Sequence, residues 1–239
     1  MNSVTTVLTV TDRLDYLESQ IESIENQSID SNIVIHWNTD KEYTLDYPVF
    51  IYRNQQKKAP LYSRFFNSLS LTTPYVFICD DDILPGKKYL ERCVDFSQKQ
   101  NDSVCIVSYG MIFDKDETKY NAERIHTNLF LTKPKLVNMG GQGYFFKTDL
   151  LKHYSNIETY SSTNGEDIHL GFTCWKHNIN TYVLDSDKKD KDTWQDLTLG
   201  TRGSDEHAQW RQNNFYPTRD NLIPKYKSLG WEFLSKNII

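Results

Sequence analysis

No stretch of the chain approaches the ~20 consecutive apolar residues that a membrane-spanning helix needs, and its first residues reach a Thr/Val-rich segment by Val4 with no basic segment and apolar core ahead of it. Neither a membrane span nor a signal peptide is expected. Cysteine is sparse. The four present, Cys79, Cys93, Cys105 and Cys174, include no C-x-x-C pair, which removes the usual zinc spacing and a redox dithiol. Each lies in an apolar stretch, as a reduced core thiol would, and this predicts a cytoplasmic protein. Without a secretory route, the glycosylation sequons at Asn26 and Asn101 carry little weight. An excess of positive charge is also missing: 27 Lys plus Arg stand against 32 Asp plus Glu, a net charge of −5. Affinity for a phosphate backbone comes from clustered cations, so no nucleic-acid partner is expected. Repeats, low-complexity tracts and Pro/Gly/Ser-rich linkers are absent, and the 239 residues read as a single domain, 1–239.

What is present is an apolar and aromatic content of 38% and 13%, enough for a sizeable core. Val4 to Val10 is β-branched and apolar, a buried strand. Thr11-Asp12 then offers a helix cap, with Leu14, Leu17, Ile21 and Ile24 at helical spacing. Asn32 to Trp37 and Val49 to Tyr52 read as strands, Leu61 to Leu71 as a helix, and Tyr75 to Cys79 as a fully apolar strand. A helix from Pro85-Gly86 to about Gln100 and a strand from Val104 to Tyr109 follow. Strands alternating with helices, none with a polar face, predict an α/β fold with a mostly parallel central sheet flanked by helices. From Met111 the alternation weakens. A short helix from Thr148, a helix over Gly165 to His177 and a strand at Thr181 to Leu184 are expected there, and the polar stretch 185–206 reads as a mobile loop. The organisation is thus a Rossmann-like nucleotide-binding half (1–110) and a less regular acceptor half (111–239).

The segment Cys79 to Gly86, CDDDILPG, places three consecutive carboxylates after a buried strand. Their repulsion calls for a cation or for solvent, and ligands of parallel α/β sheets bind beyond the carboxyl ends of strands. Hard oxygen donors suit Mn²⁺ or Mg²⁺, which take one or two protein ligands and complete their shell with water and phosphate. Asp80-x-Asp82 can therefore bridge a metal to a diphosphate; a pair of helix caps is the other reading. A calcium EF-hand is excluded by Pro85, which stands where that loop needs Gly. Arg13 can bind a phosphate or a uracil carbonyl through its planar fork, or be a solvated helix charge. Asn38 at a strand end can hydrogen-bond a base, or simply turn the chain. Arg64 can pair with Asp80 or with a diphosphate. Glu166 and Asp167 open a helix, where the macrodipole favours carboxylates, and either can serve acid–base work.

Four ordered segments carry a resemblance to a known family. Thr9-Val-Thr-Asp-Arg13 is similar to its T-x-x-R segment, Val34-Ile-His-Trp-Asn38 to its strand ending in W-N, Ser63-Arg64-Phe65 to its N-R-F segment leading into the acids, and Gly165-Glu166-Asp167-Ile168 to its C-E-D-I segment. The chain resembles GT-A nucleotide-sugar glycosyltransferases, most narrowly the exostosin-like (glycosyltransferase family 64) domain. Ser63 and Gly165 depart from its pattern, replacing Asn and Cys.

The resemblance implies a single GT-A domain that moves a sugar, as a retaining hexosyl- or N-acetylhexosaminyltransferase, from a UDP-sugar to a glycan or glycoconjugate hydroxyl. Thr9, Arg13, Asn38, Arg64, Asp80 and Asp81 would hold the nucleotide sugar; Asp82, with Asp80 and His207, would hold Mn²⁺ or Mg²⁺. Asp167, then Glu166, would stand at the reacting carbon, and Arg211 would neutralise the leaving diphosphate. In the inverting alternative Asp167 is the general base. His207 reads equally as a surface histidine, and Trp194 as a sugar-stacking ring or a loop anchor. Met139 to Gly143 is similar to the family's acceptor-side segment, with a plain turn as the other reading. A nucleotidyltransferase would show glycines after the first strand, where Thr-Asp-Arg stands, and a carbohydrate-binding module is commonly all-β.

Overall fold

The computed structural model describes residues 3–11, 13–42, 44–45, 49–53, 60–126, 131–187, 189–193, 195–196 and 208–234. Its first half is β1 (Val4–Val10), α1 (Leu17–Glu25), β2 (Ser31–Trp37), β3 (Phe50–Arg53), α2 (Pro60–Asn67), β4 (Tyr75–Cys79), β5 (Ile83–Leu84), α3 (Tyr89–Lys99) and β6 (Val104–Phe113). Then follow β7 (Ala122–His126), β8 (Lys135–Val137), β9 (Met139–Lys147), α4 (Leu150–Ser155), α5 (Glu166–Lys176), β10 (Asn180–Val183), β11 (Gln195–Asp196) and α6 (Phe215–Ser228). The main sheet runs β3-β2-β1-β4-β9-β6-β10-β8, with β7 on the outer half of β6.

The mixed α/β class and the parallel start agree with the reading from sequence: β3, β2, β1 and β4 are mutually parallel, as are β6 and β10. β1 and β4 are buried at every position, because helices cover both of their faces. On one face Leu17, Ile21 and Ile24 of α1 and Leu90 and Cys93 of α3 pack against Leu8, Phe77 and Ile106. On the other, Tyr62 and Phe65 of α2, Leu150 and Tyr154 of α4 and Leu170 and Cys174 of α5 cover Val7, Ile78 and Val107. A third cluster joins Phe113, Ile168, Phe172, Leu222, Tyr226 and Trp231. All four cysteines are free and buried.

Three expectations are corrected. Met139 to Gly143 is no turn but the first half of β9, which runs antiparallel between β4 and β6. The glycines permit this close approach: a Cβ on Gly143 would lie 3.1 Å from the Phe77 ring, and one on Gly140 would strike the Tyr109 carbonyl and Val107. Thr11 does not cap α1. A 3₁₀ turn, Leu14–Tyr16, intervenes and the cap position is Tyr16, with no side-chain cap, because the Thr11 hydroxyl donates to Asp81 instead; Asp12 lies outside the described residues. Finally, the segment expected as a mobile loop is partly docked. Arg92 pairs with Asp185 at 2.9 Å, the Lys88 N–H donates to the Asp192 carbonyl at 2.6 Å, and β11 pairs antiparallel with β5. Residues 188, 194 and 197–207 of that stretch lie outside the described residues.

Candidate active site

The carboxyl ends of β1 and β4, the start of β9 and the N-terminus of α5 surround a cleft of about 410 Å³, closed on one side by residues 208–219. β4 delivers Asp80, Asp81 and Asp82 to its floor, and the buried Gln20 side chain of α1 holds their turn by donating to the carbonyls of Asp80 and Ile83, each at 2.8 Å. Two arginines meet the three acids. Arg64, 2% exposed on the last turn of α2, donates to Asp80 through one nitrogen and to Glu166 at 3.2 Å and the Tyr144 hydroxyl at 3.4 Å through the other. It also donates to the Thr9 hydroxyl at 3.5 Å. Arg13 donates to Asp81 at 2.5 Å and lies 3.5 Å from Asp82.

On the opposite wall Asp167 accepts from Arg219 of α6 at 2.8 Å and from the Ile168 N–H at 2.8 Å. Arg219 is itself buried, its guanidinium 4.2 Å over the Phe215 ring and 4.7 Å over Tyr120. The cleft thus holds five carboxylates, with Arg13, Arg64, Arg124 and Arg219 in the same lining. Burial, reinforced by Asp80 and Asp81, pushes the Asp82 carboxyl up to about 7, against the pull of Arg13. Burial and then the neighbouring Asp167 push Glu166 to about 7, against Arg64 and Arg219. Burial also raises Asp80, although Arg64 opposes it. Among the described residues, Glu166 Oε2 has no hydrogen-bond partner.

These observations fit a divalent cation. The four arginines of the lining leave the five acids with one formal negative charge in excess, and Asp82 is the member least neutralised, its nearest cation standing 3.5 Å away. No group of three or more His, Cys, Asp or Glu side chains converges into a closed metal cage among the described residues. Mg²⁺ and Mn²⁺ sites of the phosphate-bridging kind need only one or two carboxylates.

The structure brings together Thr9, Arg13, Arg64, Asp80, Asp81, Asp82, Glu166 and Asp167, all in the cleft lining. Asn38 is outside that lining; it sits where β2 ends, its backbone N–H donating to the Val10 carbonyl at 2.8 Å. Arg211 corrects the expectation: it is exposed, stacks 5.1 Å over Trp210 and does not line the cleft, whereas Arg219 does. The turns of α6 set this, because Arg219 falls on its buried face with Leu222, Ile223 and Tyr226. Little in the sequence marks that face, since α6 carries Pro224 in its interior. Sequence reading also passed over Tyr109, Tyr120, Tyr144, Arg124, Trp210 and Tyr216, which complete the walls together with Gln142 of the run likened to an acceptor-side segment. His207 and Trp194 lie outside the described residues.

Comparison with known proteins agrees with this geometry. The fold is similar to that of TarS from S. aureus: a structure of its residues 1–349 superposes with a TM-score of 0.56 at 12% identity, covering 80% of this chain and 59% of that one. A longer TarS structure gives 0.55 at 12% identity, covering 80% and 36%. The chain therefore spans about three-fifths and about one-third of those two proteins, and at such identity the likeness is one of fold. No curated protein matches the sequence. The family model described as the glycosyl transferase family 64 domain matches residues 4–221, and with nearly all of the sheet and the whole acidic cleft inside that match, the chain belongs to this glycosyltransferase family.

Proposed function

We propose that the chain, acting as one GT-A unit over 1–239, transfers a hexose or N-acetylhexosamine from a UDP-sugar to a hydroxyl of a glycan or glycoconjugate, with retention of configuration and with Mn²⁺ or Mg²⁺. The observation that carries this reading is the cleft floor, where Asp80, Asp81 and Asp82 retain an excess of negative charge despite Arg13 and Arg64. Asp82, with Asp80 beside it, would hold the cation, which when bound offsets diphosphate charge in a water-poor site. Arg13 and Arg64 would turn part of their charge to the diphosphate. Four buried free thiols support a reducing, cytoplasmic setting, and no described helix is long and apolar enough to cross a membrane.

Retention is supported by the state of Asp167. Both of its oxygens already accept hydrogen bonds, from Arg219 and from the Ile168 N–H, so it stands as a fixed negative charge beside the sugar rather than as a free base. In the retaining step the bond from the anomeric carbon to the diphosphate oxygen breaks, and the acceptor oxygen bonds to that carbon on the same face. The acceptor proton passes to the departing diphosphate oxygen. Asp167 stabilises the oxocarbenium-like transition state. Inversion needs a group that takes up the acceptor proton, and Glu166, pushed to about 7 and with one oxygen unpartnered, is then better suited than Asp167.

A panel of nucleotide sugars tested for Mn²⁺-dependent hydrolysis, with Asp82→Ala beside the wild type, checks the donor and the metal together. Hydrolysis of a UDP-sugar by the wild type that falls at least ~100-fold in the variant is expected; equal rates in the two would reject the metal assignment. The anomeric configuration of the product, read by NMR, separates retention from inversion.

A further inference from the structure

Among the residues of the Gly140-Gly141-Gln142-Gly143 run, only the one that is not glycine adopts a left-handed backbone: Gln142 has φ +70°. The pairing of β9 with β6 explains the position. Val107 faces Tyr144 and Tyr109 faces Gly141, so that Gln142 and Gly143 together stand opposite Ser108. This is a bulge, and the first residue of such a bulge in the left-handed region is ordinarily glycine, because a side chain there crowds its own backbone. Strain held at one residue of a functional cleft is a reason to ask what its side chain does.

Gln142 lines the cleft and is half-buried. Its backbone carbonyl accepts the Asp80 N–H at 2.8 Å, which roots the side chain one hydrogen bond away from the turn that would clamp the diphosphate. Among the described residues, nothing hydrogen-bonds its carboxamide. A carboxamide both donates and accepts, and so matches a ring hydroxyl or an acetamido group. The part of the donor nearest that turn, past the diphosphate, is the sugar.

We propose that Gln142 is a specificity-determining residue whose carboxamide hydrogen-bonds the transferred sugar of the donor. This rests on the nucleotide-sugar reading of the same cleft and extends it to one contact. Glycine satisfies the bulge without strain, so the backbone alone would favour Gly at 142. The side chain is what glutamine adds, at a cost to the fold.

Gln142→Gly separates these contributions. Wild type and variant are titrated calorimetrically, in Mn²⁺, with UDP and with UDP-glucose, UDP-galactose and their 2-acetamido counterparts, and both proteins are melted. The expected variant melts no lower than wild type and binds UDP unchanged, but loses about 5- to 30-fold in affinity for the preferred UDP-sugar, a single hydrogen bond to a sugar. Unchanged affinity for that UDP-sugar overturns the proposal. A parallel loss for UDP itself also overturns it, since the bulge would then act through Asp80; a lowered melting point removes the strain on which it stands. If the wild type binds UDP but discriminates none of the four sugars from it, the contact fails while the nucleotide site survives. Wild type that binds neither UDP nor any of the four overturns the donor reading and this inference together.

Discussion

Replacing Arg219 by Met should expose how much of the cleft depends on one buried ion pair. The guanidinium donates to Asp167 at 2.8 Å and is 3% exposed, with Phe215 and Tyr120 against its faces. Met keeps much of the apolar contact but leaves the buried Asp167 carboxylate without its ion-pair partner. Removing one partner of a buried pair costs about 3–5 kcal/mol, and for a chain of this size each kcal/mol moves the melting midpoint by about 2–4 °C. A drop of about 6–20 °C is expected. Because protonation neutralises the orphaned carboxylate, the loss should be smaller at pH 5 than at pH 8. Urea unfolding of Arg219→Met, Asp167→Asn and the double variant gives the coupling, which should reach about 2 kcal/mol. Arg211→Ala, at an exposed position, is the control and should stay within about 0.5 kcal/mol of wild type. An Arg219→Met midpoint no lower than that of Arg211→Ala, or a loss that grows as the pH falls, would refute the assignment of the site's arginine to α6.

Stability without metal should rise as the pH falls from 8 to 6.5. Asp82 and Glu166, both pushed to about 7, hold protons in the folded state that the unfolded chain has released, so their contribution is present below the unfolded values near 4 and lost as pH rises through 7. Below about 6.5 the buried His36, held down to about 4, and His169, also lowered by burial, work in the opposite sense; a midpoint that climbs steadily up to pH 8 would contradict the direction. Saturating Mn²⁺ should abolish the upper part of this dependence, because a ligating carboxylate must be ionised, and differential scanning fluorimetry with and without the ion reads it. Gly86→Ala should loosen the segment docked on the acidic turn, since the added Cβ would lie 2.6 Å from the Asp192 carbonyl group; faster limited proteolysis between 187 and 196 and a loss of about 1–3 kcal/mol are expected. The four buried thiols should resist a water-soluble disulfide reagent until urea unfolds the chain, and modification of any of them in the native state would place it nearer the surface than the core packing does.

The first half was legible because each strand there is a continuous apolar run and each helix keeps its spacing, so that β1, β2 and β4 lie within one residue of their expected bounds. The acids Asp80 to Asp82 were legible as three consecutive charges that call for a cation or for solvent, and Glu166 and Asp167 as carboxylates that open a helix. β9 was not. Its three glycines look like a turn in one dimension, and only the crowding against Val107, Tyr109 and Phe77 shows that they admit a strand. β7 and β8 are short and polar in part, with no periodicity of their own. Arg219 escaped notice because a lone arginine carries no local signal until α6 is seen to bury that face; Arg211 was singled out by its likeness to a family arginine, and in the structure it stacks over Trp210.

The insertion of β9 between β4 and β6 sets how this enzyme can move. Its ladder is hydrogen-bonded on one side to the strand that ends in the acids and on the other to the strand that carries Tyr109 and Met111. These two walls of the cleft are therefore graduations on one ruler, spaced by a strand rise of about 3.4 Å per residue. Reactants cannot be brought together by closing one half on the other. A single residue inserted or deleted in β9 would turn its cleft-facing side chains into the core.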